Sequence, residues 1–338
     1  MKPSIILSTI KARFTAHLDD NLHRAMYLVG LPGGGKTQIV AQAARELGVG
    51  FRAIHAPLML PEDYGMPIVN AKRDGVTFVV PSEKFPIVGA DCPDTGLLLI
   101  DEAPQADNSG QKILANLVQE REIHGKKLKP GWMIVVTGNP TTARAGANRL
   151  LSHFSDRMTA YAFEIDLDDW CVWALDNRVK PEVIAFIRFR SDLLCDFDPQ
   201  RDKNATPRGW AEGVSASLGI VPPDAEYDSF KGDVGEGAAA EFLAFLKIFR
   251  KLPNPDAVLM NPEKAEVPTD MATLYAISSA IAARASKSSF ERVMTYARRL
   301  PPEFSVLVVR DSIRKDREVT STRAFIDWAS KDGAKILL

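Results

Sequence analysis

The stretch Gly30-Leu-Pro-Gly-Gly-Gly-Lys-Thr37 constrains this chain more than any other. Three consecutive glycines, Gly33, Gly34 and Gly35, weaken helices and strands alike. They make sense only where the backbone must stay bare. Residues 25–29 before them form an apolar run that reads as a buried strand. Residues 37–47 after them are spaced as a helix, with Gly48 as its stop. Between a strand and a helix, bare backbone N–H groups can close around phosphate oxygens, and the helix N-terminus adds a favourable field. The pattern G-x-x-x-x-G-K-[ST] is complete in Gly30, Gly35, Lys36 and Thr37. The candidate nucleotide-binding residues are therefore Gly30, Pro32, Gly33, Gly34, Gly35, Lys36, Thr37 and Gln38. Lys36 would reach the β- and γ-phosphates, and Thr37 would offer its hydroxyl to Mg²⁺.

A second apolar run, residues 97–100, ends in Asp101-Glu102. In open α/β sheets, ligands bind at the carboxyl ends of the strands. Asp101 there is a candidate Mg²⁺ ligand, and Glu102 a candidate general base for an attacking water. Residues 132–137 form a third run, leading to Gly138-Asn139-Pro140. Asn139 can hydrogen-bond a water or a γ-phosphate, although Gly-Asn-Pro is also good turn chemistry by itself.

The rest of the chain alternates in the same manner up to about residue 166. Residues 4–19 space Ile5, Ile6, Ile10, Phe14 and Leu18 as one helical face. Residues 51–55 read as a strand, 67–80 as a hairpin turning at Asp74-Gly75, 111–119 as a helix, and 121–129 as a small hairpin turning at Gly125. A short helix is expected over 147–154 and a strand over 158–165. Strands alternating with helices imply a parallel sheet covered on both faces. Beyond that point the spacing is helical, near 181–190, 207–218, 238–251, 270–284 and 290–300, with a proline-bearing loop at 252–268. The expected fold class is a P-loop α/β domain over 1–170, followed by a smaller all-α region over 171–338.

Bulk properties narrow the function classes. Of 338 residues, 46% are hydrophobic and 25% charged, and the formal net charge is −1. Nothing in that balance marks a general polyanion binder. Three scattered cysteines, Cys92, Cys171 and Cys195, form no C-x-x-C and suggest neither a disulfide framework nor a zinc site. No stretch has the length of a membrane span or the layout of a signal peptide, so a cytoplasmic location is expected.

The order of glycine-rich loop, Asp101-Glu102, Asn139 and Asp156-Arg157 resembles the AAA+ ATPases, and within them the MoxR branch. The branch's PEDxxG run is similar to Pro61-Glu-Asp-Tyr-Gly-Met-Pro67. Its LxxxxxER helix end is similar to Leu114–Arg121, its NP to Asn139-Pro140, and its Pro-Arg at a lid helix to Pro207-Arg208. The resemblance covers residues 25 to about 215. It implies that Gly30–Thr37 is the Walker A loop, Asp101-Glu102 the Walker B pair, and Asn139 the sensor-1 residue. By the same resemblance Arg157 is the arginine finger acting on a neighbouring subunit's ATP, with Arg149 as runner-up, and Arg208 is sensor 2. It further implies Mg²⁺-dependent ATP hydrolysis in a ring, a hexamer by expectation, whose lid tilts to remodel a protein client alongside a von Willebrand factor A-type partner. Pro104-Gln105 and Gly138 depart from the branch, which has Asn-Arg and Gln at those places.

Two rival readings use the same fold. One is a nucleic-acid motor or loader, for which the basic run Lys126-Lys127-Leu-Lys129 is the only local support. The other is a nucleotide-holding switch that hardly turns over, against which the full set Glu102, Asn139 and Arg157 speaks. The 67–80 hairpin reads equally as a pore-facing insert or as a surface element.

Overall fold

A computed structural model describes residues 1–19, 22–70, 76–140 and 150–331. The chain divides into two units, Met1–Asp166 and Leu167–Leu338, so the helical unit is as long as the first.

The first unit runs α1 (Pro3–Asp19), β1 (Ala25–Val29), α2 (Lys36–Leu47), β2 (Gly50–His55), a short α3 (Pro61–Tyr64), β3 (Gly65–Asn70) and β4 (Val76–Pro81). It continues through β5 (Thr95–Asp101), α4 (Asn108–Glu120), β6 (Glu122–Ile123), β7 (Lys126–Lys127), β8 (Gly131–Gly138), α5 (Ser152–Ser155) and β9 (Met158–Ala162). Five strands form one parallel sheet in the order β2-β5-β8-β1-β9. The other four make two antiparallel hairpins, β3-β4 and β6-β7.

The middles of the central strands, Leu97–Ile100 of β5 and Trp132–Val136 of β8, are apolar throughout because both faces are covered, and their side chains alternate between two cores. Leu97, Leu99, Met133, Val135, Met26 and Leu28 pack under α1 and α2. Leu98, Ile100, Trp132, Ile134 and Val136 pack under Leu114, Ala115, Leu117 and Val118 of α4. The register sets Leu99 beside Val135, and Val135 beside Met26, so each layer is continuous across three strands.

Several expected elements shift. The face of α1 that is buried is Ile6, Ile10, Phe14 and His17, whereas Ile5 and Leu18 are exposed. One row at i, i+4 spacing, closed by His17, covers the sheet without a wider stripe. The strand expected over 158–165 stops at Ala162. Of the helix expected from 147, residues 147–149 lie outside the described residues and the described helix is Ser152–Ser155. The turn at Asp74-Gly75 also lies outside them.

The second unit is helical: α6 (Leu167–Asp176), α7 (Pro181–Phe189), a π-helical stretch (Gly209–Val214) running into α8 (Ser215–Ser217), α9 (Glu226–Val234) and α10 (Glu236–Arg250). Then come α11 (Pro255–Met260), α12 (Met271–Ala282), α13 (Phe290–Ala297), α14 (Pro302–Lys315) and α15 (Arg323–Lys331). The loop expected over 252–268 thus contains α11. Pro255 opens that helix instead of breaking it, because a first-turn residue needs no amide hydrogen bond and Asn254 caps Asp256 N.

Candidate nucleotide site

The carboxyl ends of β1, β2, β5 and β8 carry the candidate residues, and the glycine loop joins β1 to α2. Gly33 and Gly35 take positive φ, 72° and 99°, which β-carbon-bearing residues rarely adopt. A β-carbon at Gly30 would stand 2.6 Å from the Phe163 carbonyl oxygen. Here, then, the glycines are required by backbone shape and by close approach. With Gly35 as the residue before α2, the helix's first amides open onto the loop.

Lys36 is buried, an unusual place for an ammonium. Its Nζ donates to the carbonyls of Gly30 (2.7 Å) and Leu31 (2.8 Å) and to Oδ1 of Asn139 (2.9 Å). The lysine thereby joins the loop after β1 to the end of β8. Asn139 keeps its amide NH₂ as a donor.

Asp101 is buried and fully engaged. The Thr37 hydroxyl donates to its Oδ2 at 3.0 Å, the Thr137 hydroxyl donates to its Oδ1, and His55 Nδ1 stands 3.4 Å from Oδ2. Thr137 also accepts from the Glu102 amide at 3.1 Å. Glu102 sits at φ 54°, in the left-handed region that costs a non-glycine residue about 1 kcal/mol or more. One buried threonine therefore fixes both members of the acidic pair. Thr137 and His55 escaped the sequence reading. The signal for Thr137 is register: Ile100 lies beside Val136, so the residue after each meets the other.

The donor set fits Mg²⁺ bound to a nucleotide. Thr37 and Asp101 supply hard oxygens, and no cluster of three or more metal-ligating His, Cys, Asp or Glu exists among the described residues. Mg²⁺ suits such a place, since it is commonly held by one or two carboxylates together with substrate phosphates.

The arginines fare differently. Arg157 is half-buried, and its Nη1 donates to the Ala115 carbonyl of α4 at 2.8 Å within the same chain. Arg149 lies outside the described residues. Arg208 belongs to the second unit; it is exposed and 3.9 Å from Glu212. Of the basic run, Lys126 and Lys127 are exposed on β7, but Lys129 is tied to Asp94 at 3.1 Å and to the Cys92 carbonyl. Arg121, at the end of α4, holds the chain leading into β8, because it donates to the carbonyls of Lys129, Pro130 and Trp132.

The two departures from the MoxR pattern are one feature. A β-carbon at Gly138 would meet the Tyr27 hydroxyl at 2.4 Å and the Pro104 ring at 2.8 Å. Pro104 and Tyr27 fill the space a side chain at 138 would need. Burial also pushes the Tyr27 phenol up to about 12, keeping it neutral.

The chain places a strand–glycine loop–helix unit in a five-stranded parallel sheet with helices on both faces, followed by a helical region. No protein-family model and no curated protein matches the sequence. Among solved structures it is similar to a protein from Cytophaga hutchinsonii described as a "putative ATPase", at 15% identity and a TM-score of 0.35, over 90% of this chain and 79% of that one. No helix among the described residues is long and apolar enough to cross a membrane.

Proposed function

We propose that this chain is an Mg²⁺-dependent ATPase of the AAA+ type, MoxR-like, working as a ring on a protein client. The observation that carries the reading is the convergence of Lys36, Thr37, Asp101 and Asn139 at the carboxyl ends of three parallel strands. The neighbour from Cytophaga agrees in its description and adds no weight at that similarity.

In this reading the Lys36 ammonium leaves the Gly30 and Leu31 carbonyls for the β- and γ-phosphate oxygens. The loop amides bind the same phosphates. Thr37 and Asp101 would hold Mg²⁺, and the ion would neutralise phosphate charge. Glu102, held in place by its amide, takes the proton of the attacking water. Asn139 orients that water with its NH₂. Arg157 serves a neighbouring subunit once it leaves the Ala115 carbonyl, and Arg208 is a candidate nucleotide contact on the family resemblance alone. A protein client is supported by exposed apolar side chains on the β3-β4 hairpin, Met66, Ile68, Val69 and Val80. A von Willebrand factor A-type partner rests on the family resemblance. A nucleic-acid partner loses support because Lys129 is already paired.

Mixing two defective variants tests the shared site. Arg157→Ala has a sound ATP site and no finger; Glu102→Gln has a finger and no base. Their mixture should recover part of the phosphate release that neither shows alone. Absence of recovery at every ratio, with full wild-type activity in dilute monomer, contradicts the ring. The client should be captured by Glu102→Gln only with ATP; capture that ignores ATP contradicts an ATP-driven remodeller.

A further inference from the structure

The second unit contains a cleft of about 440 Å³ between the end of α6, the start of α7, α12 and α14. This volume is within the range of small-molecule sites. Leu175, Val179, Ile184 and Ala282 make its walls apolar. Its polar residues are few: Arg178, Lys315, Ser279 and Asp311.

Three observations assign it a ligand chemistry. First, the cleft carries uncompensated positive charge. Asp311, 2% exposed, is neutralised by a two-pronged pair with Arg188 at 2.5 and 2.9 Å. Arg178 and Lys315 are exposed, and neither has an ion-pair partner among the described residues. Second, Ser279 is 5% exposed, and its Oγ is buried with no hydrogen-bond partner. A buried hydroxyl without a partner is costly and is expected to be satisfied by something. Third, Arg178 sits where glycine belongs. Val179 N bonds the Ala174 carbonyl at 2.9 Å and Arg178 N the Leu175 carbonyl at 3.3 Å, which closes α6 with a Schellman motif. Its left-handed position, φ 59°, is held by an arginine. Glycine would suit the backbone better, so the arginine side chain is what the position gains.

We propose that this cleft binds a small organic acid, its apolar body between the walls and its carboxylate at Arg178 and Lys315. The site lies wholly in the second unit and is independent of the nucleotide reading. A free acid and the carboxyl end of an apolar peptide share this chemistry.

The test is calorimetric titration of the full chain without nucleotide, with the Ile184 δ1-methyl signal reporting locally. The probes are octanoate, octylamine, and N-acetyl-leucyl-leucine with free or amidated carboxyl. Octanoate should saturate at about 1 mM or tighter and octylamine should bind at least about tenfold more weakly. A leucyl-leucine that binds tighter than octanoate, and loses this on amidation, identifies a chain end; octanoate binding tighter identifies a free acid. Arg178→Gly relieves the backbone, so it should hold or raise Tm while weakening octanoate, and Arg178→Gly with Lys315→Gln should weaken it about tenfold or more. Opposite signs in Tm and affinity separate lost recognition from lost folding. The proposal is overturned if octanoate fails to saturate by about 10 mM, if octylamine matches it, or if the double variant binds undiminished.

Discussion

At the residue scale, Thr137 is the hinge of the candidate site, because its hydroxyl donates to Asp101 and accepts from Glu102 N. Thr137→Val keeps the shape and removes both bonds. It should leave ATP binding nearly intact and lower Mg²⁺ affinity or turnover about 10–100-fold, as other changes to groups that orient metal ligands do. Mg²⁺ titrations of turnover in the two proteins check this; identical curves contradict it. His17 makes a different kind of prediction. It is 2% exposed, its Nε2 faces the Pro130 carbonyl at 2.8 Å, and its Nδ1 is 3.1 Å from His23 Nδ1. Burial lowers its pKa below 6.5, with the Arg121 charge acting in the same direction, and His23 is lowered likewise. The unfolded chain therefore takes up protons below about pH 6.5 that the folded chain refuses, so stability is intact above that value and is lost as pH falls. Tm should decline between about pH 7 and pH 5, and His17→Gln should flatten the decline. Equal slopes in both proteins contradict the assignment.

At the element scale, the end of β8 has no room to spare. Gly138→Ala drives a methyl group into the Tyr27 hydroxyl and the Pro104 ring. Overpacking of this kind costs about 1–3 kcal/mol. Denaturant melts should show that loss, and adding Tyr27→Phe should recover part of it; full stability in Gly138→Ala alone contradicts the packing. The same elements show what a single sequence reveals. The glycine loop, the buried strands before Asp101 and Asn139, and the α/β alternation were legible because their signals are local and periodic. Thr137 and His55 were not, since each meets Asp101 only through strand register, which no single strand encodes. Nor was α11, whose opening at Pro255 lay in the expected proline-bearing loop although proline fits the first helical turn. Leu18 looked like core by spacing, but the row continues through His17, a histidine satisfied by a carbonyl and a second ring.

At the scale of the whole molecule, two units of similar length carry separate chemistry. The first gathers loop amides, an ammonium, hydroxyls and an acidic pair at the carboxyl ends of a parallel sheet. The second offers an apolar cleft with two exposed cations. The near-zero net charge leaves binding to these local arrangements, with no global field to assist. In the proposed function the strand-end cluster hydrolyses ATP with Glu102 as its base. Single-turnover phosphate release from bound ATP and Mg²⁺, compared between wild type and Glu102→Gln at equal ATP occupancy, tests it most directly. The variant should bind ATP within about threefold of wild type and release phosphate about a hundredfold or more slowly, since an amide cannot accept the water's proton. Release from Glu102→Gln at the wild-type rate would contradict the claim, and so would a wild-type chain that binds ATP and never cleaves it.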